Sequence, residues 1–92
     1  MADLIWPPLQ LLTRQGCCLC EGLQERLEAL VPAPTLHCID VDADAQLQAR
    51  FGWEVPVLMT ASGEVLPRVP PRLGGDRLAD WLQRNLKKTN SA

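Results

Sequence analysis

The spacing of apolar residues changes near Cys17. Residues 9–13 are mostly apolar, which predicts a strand buried on both faces. Beyond Cys17, leucines recur at steps of four, four and three residues, and charged residues occupy the positions between them, which is the pattern of an amphipathic helix. This helix is predicted to open near Cys17 and to stop at Val31-Pro32. Its repeating residues are Leu19, Leu23, Leu27 and Leu30.

The rest of the chain alternates short apolar runs with loops and two more helices. A turn at 61–63 joins two apolar runs into a predicted hairpin, and the prolines of residues 67–72 exclude both helix and sheet. The predicted elements are a strand at 35–40, a helix capped by Asp42 or Asp44 and ended by Gly52, a strand at 55–60, a short strand at 64–66 and a helix opening at 74–76.

The order of these elements, β-α-β-α-β-β-α, predicts an α/β fold. The first two strands are joined by a helix and should be parallel with a right-handed crossover, whereas the closing hairpin must be antiparallel. We therefore expect a four-stranded mixed sheet with helices on both faces. Ninety-two residues suffice for one domain, 1–92, with its core at about 9–88.

Composition narrows the possible partners. Nine basic and 11 acidic residues give a net charge of −2, so no basic excess favours binding to nucleic acid or to an anionic membrane. The apolar stretches are far shorter than the ~20 residues that cross a bilayer. Residues 1–12 contain no Lys or Arg, so the charged front of a secretion signal is missing. We expect a soluble, cytoplasmic monomer.

Three of the four cysteines lie within four positions. Cys17, Cys18 and Cys20 are too close together to staple distant segments, so they indicate redox exchange or metal ligation. Cys18 is either a spare thiol facing solvent or an alternative resolving partner. Cys38 lies mid-strand and is predicted to be a small buried apolar residue. His37, the only histidine, should lie on the opposite face of that strand and is a weak catalytic candidate.

Cys17 and Cys20 form a C-x-x-C motif between a strand and the first turn of a helix. Residues three apart on a helix share a face, and their Cβ atoms lie about 5–6 Å apart. A small adjustment of the backbone brings these atoms within range of a disulfide. The N–H groups and the positive end of the helix favour a thiolate at Cys17, which becomes the nucleophile, with Cys20 as the resolving thiol. Arg14 either adds a positive charge nearby or is a solvated loop residue.

Four segments resemble the glutaredoxin branch of the thioredoxin-fold superfamily, close to its short bacterial glutaredoxin-like proteins. The resemblance covers about residues 9–86 and implies a thioredoxin-like fold and thiol–disulfide oxidoreductase activity. It departs from the family between the cysteines, where Cys18-Leu19 replaces the usual Pro-Tyr. The matching segments are TRQGCCLC at 13–20, DVD at 40–42, VPV at 55–57 and GGD at 74–76.

The resemblance also implies a binding site for substrate thiols and disulfides. Pro56 should follow a cis peptide and face the cysteine pair, and the backbone of Val55 should pair with the cysteinyl part of a substrate. Gly75 and Asp76 should contact the substrate, although Asp76 equally suits a cap of the last helix. Trp53 either lines a substrate groove or plugs the edge of the core. The resemblance implies no metal and no tightly bound cofactor, with glutathione as a possible co-substrate.

The cysteine motif and the family resemblance are also compatible with two other functions. Some glutaredoxin-like proteins hold an iron–sulfur cluster between two subunits, which would use Cys17 and glutathione thiols as ligands. Alternatively, the domain is a redox-inert adaptor that uses the groove around Pro56 for protein contacts.

Overall fold

The computed structural model describes residues 6–89, with side chains described as far as residue 86. The order of its first three strands and its three helices agrees with the order predicted from the sequence. The elements are β1 (Leu9–Thr13), α1 (Cys18–Glu28), β2 (Leu36–Asp40), a 3-10 turn (Val41–Ala43), α2 (Ala45–Phe51), β3 (Val57–Thr60) and α3 (Gly75–Thr89).

The helix boundaries follow from local capping. α1 begins directly after Cys17 and ends at its C-cap Ala29, before the predicted stop at Val31-Pro32. Asp44 rather than Asp42 caps α2, since its carboxylate accepts hydrogen bonds from two backbone N–H groups of that helix. α3 begins at Gly75, whose φ of +57° suits glycine. Among residues 6–89, no helix combines the length and apolar character needed to cross a membrane.

The sheet is mixed, with β1 at its centre and the order β2-β1-β3. β1 and β2 are parallel, as predicted, and Thr13 lies opposite Asp40 at the end of both strands. β3 is antiparallel to β1, with Leu12 opposite Val57. The loop before α1 therefore leaves the sheet at the end where β2 also ends and where β3 begins. Segments that are distant in sequence meet at this end of the strands.

The predicted fourth strand at 64–66 is wrong. This segment contacts β3 through a single bridge, Met59 opposite Val65, flanked by two backbone hydrogen bonds of 2.9 Å. Pro67 follows at once and has no N–H with which to extend the ladder. The sheet described between residues 6 and 89 therefore has three strands rather than four.

Helices cover both faces of the sheet, as predicted. Side chains alternate between the faces along β1, so Leu11 packs on one side and Leu12 on the other. Leu11 belongs to the larger cluster with Leu27 of α1 and with residues of α3. The smaller cluster joins Leu12, Val41, Phe51 and Val57.

The prediction that Cys38 is buried is wrong, because β2 is an edge strand. The Cys38 side chain is exposed. Of the residues in β2, only Leu36 and Ile39 pack against the two clusters. The partial burial that remains raises the pKa of the Cys38 thiol, and the nearby Glu28 carboxylate raises it further. Cys38 is therefore less readily ionised than an ordinary cysteine and is a poor nucleophile near neutral pH.

Candidate functional site

Cys17 and Cys20 form a disulfide at the start of α1, with their Cα atoms 5.2 Å apart. The pairing expected from the C-x-x-C spacing is therefore present in the structure. Cys17 is the N-cap residue and is half-buried, whereas Cys20 is 2% exposed. Cys17 is therefore the more accessible member of the pair and Cys20 the more buried one. This asymmetry suits an attacking thiol and a resolving thiol.

The first turn of α1 directs a backbone donor at the sulfur of Cys17. The N–H of Cys20 donates a hydrogen bond to Cys17 Sγ at 3.1 Å, and the Cys17 carbonyl accepts the first helical bond, from Glu21 N–H, at 3.1 Å. A donor at the positive end of a helix stabilises the charged form of a group placed there. In the reduced protein the same donor would favour the thiolate of Cys17.

The guanidinium of Arg14 is engaged by two partners other than the cysteines. Its Nε donates to Asp42 Oδ2 at 3.0 Å and its Nη1 donates to the Gly52 carbonyl at 3.1 Å. The Asp42 carboxylate balances the positive charge that was expected to act on Cys17. Arg14 therefore ties the loop before Cys17 to the loop between α2 and β3, which carries Trp53.

The ionisation of Cys17 is open to a direct test. In a Cys18→Ser, Cys38→Ser background we expect the alkylation rate of reduced Cys17 to titrate with a midpoint below about 8.5, the value of a free cysteine, because the helix terminus favours the thiolate. Arg14→Gln should shift this midpoint by less than about 0.5 in pH, since Asp42 balances the Arg14 charge. Iodoacetamide labelling followed by mass spectrometry measures both values. A midpoint at or above that of free cysteine would mean an inert thiol.

The peptide between Val55 and Pro56 is cis, as the family resemblance implies. The Val55 N–H donates to the Phe51 carbonyl at 3.2 Å, so this donor is already occupied. The Val55 carbonyl accepts no hydrogen bond from the described part of the chain. Of the two backbone groups of Val55, the carbonyl is therefore the one left available to pair with a substrate.

Pro56 and Leu19 lie in one open groove of about 150 Å³, which we call the Pro56 groove. The prediction that Leu19 belongs to the buried stripe of α1 is wrong, because its side chain is 55% exposed. Leu19 lies in the first turn of α1, ahead of the buried Leu23 and Leu27. The groove is lined by Leu19, Leu23, Arg26, Pro56, Arg68, Val69 and Pro71.

Gly75 and Asp76 lie at the start of α3 and do not line the Pro56 groove. The Asp76 carboxylate accepts no hydrogen bond within residues 6–89, so it does not cap α3. The Arg26 guanidinium connects α1 to the segment just before α3, since its Nη1 donates to the Leu73 carbonyl at 2.7 Å. Contact of Gly75 and Asp76 with a substrate stays a prediction.

The remaining candidates lie outside the groove. Cys18 is exposed, and His37 is exposed on β2 opposite Gln10, three residues before the strand ends. Trp53 is 94% exposed, which excludes a role as a plug of the core. Arg26 and Arg68 line the groove, but neither is among the site residues predicted from the sequence. The sequence does offer one indication for Arg68. It lies in loop 67–72, whose prolines exclude helix and strand and which contains two arginines.

A second open pocket, of about 380 Å³, lies beside Cys20. The carboxylates of Asp40 and Glu21 line it together with Cys20 and Arg14. Across residues 6–89, however, no three His, Cys, Asp or Glu side chains lie close enough together to hold a metal ion. The chemistry that the described residues support is therefore that of the sulfur pair.

Comparisons with known proteins find one matching family and one similar solved structure. A family model described as glutaredoxin-like domain (DUF836) matches residues 8–83. The chain is also similar to the X-ray structure of a Northeast Structural Genomics target protein from X. campestris, with 32% identity and a TM-score of 0.66, over 83% of this chain and 96% of that one. The comparison with curated proteins finds no match. The chain thus belongs to the glutaredoxin-like domain family (DUF836).

Proposed function

We propose that this protein is a thiol–disulfide oxidoreductase that uses Cys17 as nucleophile and Cys20 as resolving thiol. The observation that carries the proposal is the unequal exposure of two disulfide-bonded cysteines at the start of α1, Cys17 half-buried and Cys20 buried. Membership of the glutaredoxin-like family supports it. An inert structural disulfide needs neither a partly accessible cysteine nor a backbone donor directed at its sulfur.

The reduced protein would act in two exchange steps. The Cys17 thiolate attacks one sulfur of a substrate disulfide, a mixed disulfide forms, and the other substrate sulfur leaves as a thiolate that takes up a proton. The Cys20 thiol loses its proton and attacks Cys17 Sγ, which releases the second substrate thiol and closes the Cys17–Cys20 bond. Two electrons pass to the substrate and two protein thiols become one disulfide.

The substrate side of the proposal uses the residues around this pair. Val55 would offer its carbonyl to the substrate backbone and Pro56 would form the wall of the groove. Arg14, Gly75 and Asp76 would contact the rest of the substrate. Glutathione would return the protein to its dithiol form as a co-substrate rather than as a bound cofactor. We further propose a monomer that acts in the cytoplasm on thiols and disulfides.

The redox couple itself tests the function. Equilibration with glutathione buffers should give one reversible two-electron transition, with a potential between about −270 and −120 mV, the range spanned by related dithiol proteins. Alkylation of quenched samples and peptide mass spectrometry should locate the oxidised bond between Cys17 and Cys20. Sulfurs that stay reduced under mild oxidant in a folded protein would favour the redox-inert adaptor instead.

A further inference from the structure

The Pro56 groove has apolar walls next to the reactive pair. Leu19 lies between the two bonded cysteines in sequence and exposes 55% of its side chain. Across the groove, Val69 and Pro71 continue the apolar surface, and Pro56 completes it. A substrate sulfur that reaches Cys17 would bring its neighbouring side chains over this surface.

Two arginines give the same groove a positive charge. Arg26 is held in place by hydrogen bonds to the Gly22 and Leu73 carbonyls, neither of which carries a charge. Arg68 is exposed and makes no hydrogen bond or ion pair with any residue the structure describes. Among residues 6–86, no acidic side chain lines the groove. Its chemical complement is therefore apolar and acidic.

The size of the groove indicates which kind of molecule would fill it. Sites that enclose small molecules have volumes of about 300–1,000 Å³, and this groove has about 150 Å³. It has room for one bulky side chain of a chain that continues over the surface. An extended polypeptide fits this description better than an enclosed small thiol does.

Resting on the proposed oxidoreductase function, we propose that the Pro56 groove selects disulfides carried on polypeptides. A bulky apolar side chain beside the substrate cysteine occupies the groove, and a carboxylate close by pairs with Arg68. Arg68 is thus a specificity-determining residue for acidic protein substrates. The chemistry at the sulfurs is the two-step exchange already described.

A panel of mixed disulfides tests this selection. Peptides of equal length carry one cysteine, with Leu or Gly beside it and Glu or Lys two residues further on, each joined to 2-mercaptoethanol. With the reduced protein at low salt we expect the Leu/Glu peptide to react about threefold to tenfold faster than the Leu/Lys peptide. Arg68→Gln should remove most of that ratio and Arg68→Glu should invert it. Arg72→Gln is the matched control, because Arg72 carries the same charge in the same loop but does not line the groove, and it should keep the ratio.

The other outcomes separate this inference from the function on which it rests. Equal rates for the Glu and Lys peptides, or a ratio unchanged in Arg68→Gln, would overturn the selection while leaving the oxidoreductase intact. Faster reaction with a glutathione mixed disulfide than with every peptide would also overturn it, since the groove would then serve a small thiol. Failure to react with any disulfide, including neutral bis(2-hydroxyethyl) disulfide, would overturn the proposed function and this inference together.

Discussion

Cys17→Ser should reduce disulfide exchange to the uncatalysed background. Cys17 is the half-buried member of the pair, and Cys20 is 2% exposed, so the buried sulfur cannot take over the attack. A serine hydroxyl is not ionised near neutral pH and therefore supplies no substitute for the thiolate. Reduction of a small disulfide by the dithiol protein, followed as thiol release, measures the loss.

Cys20→Ser should instead stop the reaction halfway. The first attack still occurs, but no resolving thiol is present, so Cys17 accumulates as a one-to-one mixed disulfide visible by mass spectrometry. Both variants are best made in the Cys18→Ser, Cys38→Ser background, since Cys18 is exposed next to Cys17 and offers an alternative thiol. That background alone is the matched control and should retain full turnover. Turnover in Cys17→Ser would refute the assigned roles.

The elements that the sequence predicts well are those determined by local pattern. The leucine spacing of α1, the apolar run of β1 and the capping carboxylate before α2 each act within a few residues. The cysteine pair belongs with them, because two thiols three apart at a helix start meet whatever surrounds them. The parallel pairing of β1 and β2 follows as well, since a helix connects them.

The errors concern properties set by partners distant in the chain. Cys38 is exposed because β3 pairs with β1 and leaves β2 at the edge, which its own strand pattern does not reveal. Arg14 contacts Asp42, 28 positions away, and the position of Arg14 near Cys17 in the sequence does not reveal that contact. The Pro56 groove likewise joins α1 to residues 68–71, and nothing in either segment alone predicts that contact.

Leu27→Ala should destabilise the fold strongly, whereas Leu19→Ala should not. Both residues belong to the same helix and to the same leucine repeat, but Leu27 is 0% exposed in the main cluster and Leu19 is 55% exposed. Truncating a buried leucine removes its burial energy and leaves a cavity, which costs about 2–5 kcal/mol. An exposed position loses little, within about 0.5 kcal/mol.

Urea unfolding of the two variants, each held fully reduced, measures this difference. The total stability of a domain of this size is about 5–15 kcal/mol, so the loss at Leu27 is a large part of it. Because the substitution and the helix are the same, differences in helix propensity and chain entropy largely cancel between the pair. Equal destabilisation would mean that Leu19 is buried in solution. The Leu19 side chain would then pack against the other residues that line the Pro56 groove, and the groove beside the cysteines would be closed.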